Sequence, residues 1–321
     1  MSMLIESLKE ASVYTESTFS TEALEVGCSS LLEATLDFEM GFNEAYLEQI
    51  SSELNESYLS EEEKEAGKVN FFEKIKQFFV SMVENVKNFF RNVYNKFVIN
   101  FKIFVTVIEK CIKIVSSSKK DFNATTSGKV DAKHENEKDL KITYLSPKVI
   151  DLVNDIKSKI NKSFSIQSGE NASLEKENSA TMAASDGHMD TLLNPYIATS
   201  TLGEYSNKQT ALTILNNLKK TIIDLTDGIK TIKSSLDSII KTSNTSISIL
   251  DRLKAKKDDA VSKEIEGVKR NRTVVSSANK FTSKLMSILV TISKRNATAA
   301  KRIASVYNRG GVPKQDKNKE S

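Results

Sequence analysis

Four side chains in this 321-residue sequence have the chemistry for metal ligation or nucleophilic attack near neutral pH: Cys28, Cys111, His134 and His188. Structural zinc needs four such ligands and catalytic zinc three, usually with some of them at a short fixed spacing. His134 stands in "KVDAKHENEKDL" and His188 in "MAASDGHMD", polar stretches with no second His or Cys beside them. Cys111 falls on the apolar side of a Phe-rich segment, where a cysteine ordinarily serves as a small core residue. Two cysteines so far apart support neither a disulfide framework nor a zinc motif. Carboxylates crowd residues 1–70, but a run of acids is ordinarily a solvated face.

No G-x-x-x-x-G-K-[ST], G-x-G-x-x-G, H-E-x-x-H or G-x-S-x-G pattern occurs. The expectation is therefore no catalytic residue, no cofactor, no metal and no small-molecule substrate. The sequence is not read as that of an enzyme. Shape, charge and polarity have to carry the function.

The elements that would display those features are helical. Gly (11) and Pro (3) fill 14 positions, against roughly 12% of positions in an average protein. Strands joined by tight turns need both residues and long helices exclude them. The fold class expected is all-α, an elongated helical bundle with long coiled-coil-like helices and two flexible linkers.

The segments follow from pattern changes along the chain. Residues 1–59 form an acidic N-terminal segment with helical spacing at Cys28, Leu32, Leu36, Phe42, Tyr46, Ile50 and Leu54. Ser60 with Glu63 three residues on is a capping-box pattern that starts a Phe/Lys-rich amphipathic helix over 60–116. Residues 117–145 read as a flexible linker, 146–165 as a short helix opened by Ser146-Pro147, and 166–205 as a second linker. Residues 206–308 are coiled-coil-like, and 309–321 form a disordered basic tail.

The Phe-rich helix is the most distinctive of these. Its apolar face comprises Phe71, Phe72, Ile75, Phe78, Phe79, Met82, Val86, Phe89, Phe90, Val93 and Phe97. From 71 to 115 the face recurs in twelve steps over 44 residues, a mean of 3.67, which keeps one side of a nearly straight α-helix apolar. Three roles fit: a core helix of a bundle, a groove for another protein's helix, or a helix lying on a membrane. The third rests on Lys74, Lys76, Lys87, Arg91, Lys96 and Lys102, which flank the face and would attract anionic lipid. Lys102, Glu109, Lys110 and Lys113 interrupt any window long enough to span a bilayer. In the bundle role, Phe72, Phe79, Phe90 and Phe97 are expected to be mostly buried.

A heptad seam is expected at Leu218, Ile222, Leu225, Ile229, Ile232 and Leu236, on one continuous helix over 208–240. Gly228 interrupts it at a cost of about 1 kcal/mol relative to alanine.

Charge is distributed unevenly. Residues 1–70 carry a net −13, residues 71–120 a net +7 and the rest +10, within a total of +4. An acidic head on a basic body admits salt-sensitive, non-specific contact with nucleic acid phosphates. No base-reading module is visible.

The acidic segment "ESLKEASVYTESTFSTEALE", the helix "FFEKIKQFFVSMVENVKNFFRNVYNKF" and the long polar helical remainder together resemble the internal-head or prohead-core proteins of large tailed bacteriophages. The resemblance covers the first 120 residues best. It implies a non-enzymatic virion protein assembled in the host cytoplasm, partnered by other virion proteins or by its own copies. It also implies trimming by a maturation protease that favours Glu two positions after a small or aliphatic residue. Leu54-Asn55-Glu56 and Leu59-Ser60-Glu61 fit that preference, so Glu56 and Glu61 are the candidate processing sites. Two alternatives stand beside this reading: a membrane-active amphipathic protein using residues 71–115, and a coiled-coil scaffold or adaptor.

Overall fold

The computed structural model describes residues 61–118, 141–165, 189–253 and 261–308. The acidic segment with Glu56 and Cys28, both histidines and the basic tail lie outside the described residues.

The chain is all-α. Helix α1 (Glu61–Phe89) runs into a π-helical turn (Phe90–Tyr94) and then α2 (Asn95–Ser117). Strand β1 (Ile142–Leu145) precedes α3 (Val149–Phe164), and the short α4 (Met189–Leu193) leads through a 3-10 turn (Asn194–Tyr196) into β2 (Ile197–Ser200). After α5 (Leu202–Tyr205) come α6 (Lys208–Asp224), α7 (Thr226–Leu253) and α8 (Val261–Asn308).

Two compact units result. The first takes described residues 61–100, 151–165, 189–192, 226–253 and 261–290; the second takes 101–118, 141–150, 193–225 and 291–308.

In the first unit α1 packs on α7, antiparallel, with Lys76 paired to Asp251. Helices α7 and α8 form a second antiparallel pair, and three contacts fix its register. Ser235 Oγ meets Thr282 Oγ1 at 2.7 Å, Asn271 Nδ2 donates to Ser246 Oγ at 3.0 Å, and Gly228 faces Leu289. The paired residue numbers total 517 in all three cases, so the two helices stay in phase from one end of the contact to the other. Thr282 donates its hydroxyl proton to the Ala278 carbonyl at 2.6 Å, which leaves Ser235 as the donor to Thr282.

Gly228 now has a purpose. A Cβ there would stand 3.0 Å from one Leu289 methyl and 3.1 Å from the other, so glycine permits the close approach of α7 to α8. Gly228→Val is expected to lower stability by about 1–3 kcal/mol through overpacking. Urea melts of the variant beside wild type measure it, and an unchanged midpoint would mean the helices do not approach as described.

The second unit pairs α2 with α6, again antiparallel. Glu109 bridges to Lys219 at 2.7 Å, and Lys208 Nζ donates to the Ser118 carbonyl at 2.9 Å, a cation at the carbonyl end of α2. Strands β1 and β2 pair antiparallel from Ile142↔Ser200 to Leu145↔Ile197. The buried Asn296 side chain of α8 then acts like a further strand. It accepts from Leu145 N at 2.8 Å and donates to Leu145 O at 3.2 Å. Tyr307, at the end of α8, donates to the carbonyls of Tyr205 and Ser206 at 2.8 and 3.0 Å.

Four expectations need correcting. The stretches 117–145 and 166–205 are not linkers throughout: β1 lies in the first, and α4, β2 and α5 in the second. Each of these elements is at most five residues long, too short to show a periodic apolar face. The helix expected over 208–240 is two helices, α6 and α7, meeting at Leu225. Thr226, Asp227 and Gly228 follow directly, three poor helix formers in succession. The Phe-rich helix is not one straight α-helix, because of its π turn. Finally, the coiled-coil-like character expected over 206–308 does not extend through α8 as one apolar seam. Val274, Val275, Ser276, Ser277, Ala278 and Asn279 are buried in succession, and Ile288, Leu289 and Val290 likewise.

Candidate functional site

The Phe-rich helix is the feature for which the sequence most demands an explanation. Ile75, Phe78, Phe79, Met82, Val86, Phe89 and Phe97 are buried, Phe79 and Phe97 completely. Phe72, Phe90 and Val93 are half-buried, and Phe71 has its side chain outside the described set. Of the four rings expected to be mostly buried, Phe79 and Phe97 are fully enclosed, and Phe72 and Phe90 keep only a minor part of their surface in solvent. Phe78 and Phe79 meet edge to face, centroids 5.2 Å apart, and Phe90 meets Tyr94 in the same way at 5.3 Å.

The π turn has a geometric cause. On α1 the buried positions 75, 78, 82, 86 and 89 keep steps of three and four, the helical period. Phe89 and Phe97 are then eight residues apart. At about 100° per residue, eight steps overshoot two turns by about 80°. The wider turn at Phe90–Tyr94 absorbs that excess, and α2 resumes with Phe97 on the buried side.

The opposite side of α1 is polar: Glu73, Lys74, Gln77, Glu84, Lys87 and Asn88 are exposed, and Arg91, Asn92, Asn95 and Lys96 continue the same character. Lys76 is held as the cation by its hydrogen bond to Asp251, which raises its pKa. Burial holds the Tyr94 hydroxyl above its ordinary value, with a smaller push from the Asp237 charge.

The seam residues Leu218, Ile222, Leu225, Ile229, Ile232 and Leu236 are all buried, the first three in the second unit and the last three in the first. Among the described residues, Ile197 and Ile223 are the large apolar side chains left exposed.

Cys111 is buried on α2. Burial pushes its thiol up to about 11, against a weaker opposing pull from Lys301. A thiolate is the attacking species, so Cys111 is chemically quiet near neutral pH. Glu204 keeps its carboxylate below the usual range by accepting from Thr201 N and Ser200 Oγ. That is a capping interaction at the start of α5 rather than acid–base machinery.

Among the described residues no group of three or more His, Cys, Asp and Glu could hold a metal ion, and no helix is long and apolar enough to cross a membrane. No protein-family model, curated protein or solved structure matches the chain.

The sequence reading missed how widely the surface of α8 is buried. The signal was present in its small residues. Ser276, Ser277, Ala278, Asn279, Thr282, Ser283, Ser293 and Asn296 are all buried, and small side chains let neighbouring elements come close.

Proposed function

We propose that this chain is a non-enzymatic internal or structural protein of a tailed-phage virion, acting through helix–helix assembly with other virion proteins or its own copies. The observation that carries the reading is how the Phe/Lys-rich segment is used: rings inward, charged side outward. A segment of that kind supplies packing and a hydrated surface. The same burial weighs against the membrane-active alternative, since Phe79 and Phe97 would have to leave the interior to meet lipid. The acidic-head, Phe/Lys-helix layout supports the phage assignment.

Processing belongs to this reading. Cleavage after Glu56 or Glu61 would fall just before α1 or at its first residue. Residues 1–61 carry a net −12, so their removal takes the chain from +4 to +16. A near-neutral protein suited to assembly would become a basic one. Mass spectrometry of purified particles tests both parts. The expected result is this chain among the virion proteins, beginning at Ser57 or Glu62. Absence from the particles sinks the virion reading, and an intact N-terminus in them ends the processing idea alone.

A further inference from the structure

In the first unit, the π turn decides where the cations of its own segment stand. Lys87 and Lys96 are nine residues apart, and nine steps of about 100° make two and a half turns. An unbroken α-helix would set them on opposite sides. The wider turn at Phe90–Tyr94 takes up about 80° of that rotation. Lys87, Arg91 and Lys96 therefore share one arc of about 100°, and all three are exposed. Asn88, Asn92 and Asn95 are exposed on the same stretch.

Helix α7 extends this surface. It packs on α1 within the same unit, and the Asp237 charge reaches the Tyr94 hydroxyl. The exposed row Lys233, Asp237 and Lys241, at steps of four, therefore borders the π turn. No Asp or Glu occurs from Asn85 to Ile108, and the nearest acid on α1 is the exposed Glu84. The other acids of α7 are engaged, Asp227 by Lys230 and Asp251 by Lys76. Five cations thus stand with two acids, Glu84 and Asp237. Among the described residues, none of the five side chains makes a hydrogen bond or ion pair.

We propose that this two-helix surface, Lys87, Arg91 and Lys96 with Lys233 and Lys241, binds the phosphates of nucleic acid without regard to sequence. From Lys87 to Lys96 the helix rises about 13 Å, roughly four phosphate steps of about 3.4 Å along one strand of a duplex. The Arg91 guanidinium suits two-point contact with a phosphate. Asparagine amides donate to phosphate oxygens as well, a part open to Asn88, Asn92 and Asn95. Carboxylates at those three positions would repel the same ligand. Anionic lipid would require an apolar face beside the cations, and here Phe89 and Phe97 are turned inward. The inference goes beyond the virion reading and does not rest on it, because it is read on purified protein whatever the source.

The test is fluorescence anisotropy of two labelled duplexes of unrelated sequence, about 20 base pairs each, titrated with the full chain at about 50 and about 200 mM salt. Wild type should bind both duplexes equally and lose affinity steeply with salt. The variant Lys87→Gln/Arg91→Gln/Lys96→Gln/Lys233→Gln/Lys241→Gln should bind at least about tenfold more weakly at the lower salt, its salt slope shallower by up to about 4.5, near 0.9 per phosphate contact. A control of equal charge change at exposed cations elsewhere, Lys74→Gln/Lys113→Gln/Lys148→Gln/Lys220→Gln/Arg252→Gln, should change affinity less than about threefold. A readout on wild type alone covers the case in which the site variant does not fold. Bound duplex should protect Lys87, Lys96, Lys233 and Lys241 from acetylation while leaving Lys113, Lys148 and Lys220 reactive. No binding by wild type at the lower salt overturns the proposal. So do equal losses in both variants, uniform acetylation protection, or binding confined to anionic lipid vesicles.

Discussion

Phe79→Ala should lower the stability of the protein by about 3–5 kcal/mol, the loss typical of removing a fully buried ring. Phe79 has no exposed surface and sits edge to face with Phe78 on α1, the helix that packs on α7. Phe90→Ala, on the same apolar run, should lose less, because that ring is only partly buried and keeps some of its surface in solvent. The contrast discriminates between uses of the segment. A helix held ready for lipid or for another protein would tolerate both changes almost equally, since neither ring would contribute to folding. Urea denaturation followed by circular dichroism gives both values, and a Phe79→Ala loss under about 1 kcal/mol would mean the face is not packed as described.

That face was legible because steps of three and four from Ile75 to Phe89 leave no other pattern to compete. The π turn was not, because Val93 divides the interval from Phe89 to Phe97 into two ordinary steps of four, so the sequence pattern shows no interruption there. The six seam positions on α6, α7 and their junction were legible for the same reason as the Phe face, but the break at Leu225 was not: a heptad pattern continues across a one-residue interruption unchanged. The short ribbon escaped notice because "ITYL" and "IATS" are four residues each, shorter than any period can establish. For α8 the difficulty is chemical. Serine, threonine and asparagine count as polar in a sequence, yet a helical hydroxyl can bond the carbonyl one turn back. Thr282 does so to Ala278, and such residues then pack inside like small apolar ones.

The second large effect is expected at Asn296, where a side chain completes the hydrogen bonding of a strand. Leu145 is buried, and its N–H and C=O both turn to the Asn296 amide. Asn296→Leu keeps the branched shape in a somewhat larger side chain and removes both partners. Each orphaned buried group costs about 1–3 kcal/mol, so a loss of about 2–6 kcal/mol is expected, with the β-ribbon the first element to loosen in hydrogen exchange. Asn296→Asp gives a finer test. Its ionised carboxylate would still accept from Leu145 N–H but would face the Leu145 carbonyl with a negative charge. The protonated acid could accept from the N–H and donate to the carbonyl, as the amide does. Folding should therefore raise the pKa of this introduced group above its unfolded value of about 3.9. A group whose folded pKa is raised contributes stability that is complete below the unfolded value and is lost as pH rises through the folded one. The deficit of Asn296→Asp relative to wild type should accordingly be large at pH 7 and shrink towards pH 4, while that of Asn296→Leu stays constant. Comparing both variants with wild type at each pH cancels the acid sensitivity of the rest of the chain. If the two variants show the same deficit at every pH, the Asn296 amide is not what satisfies Leu145.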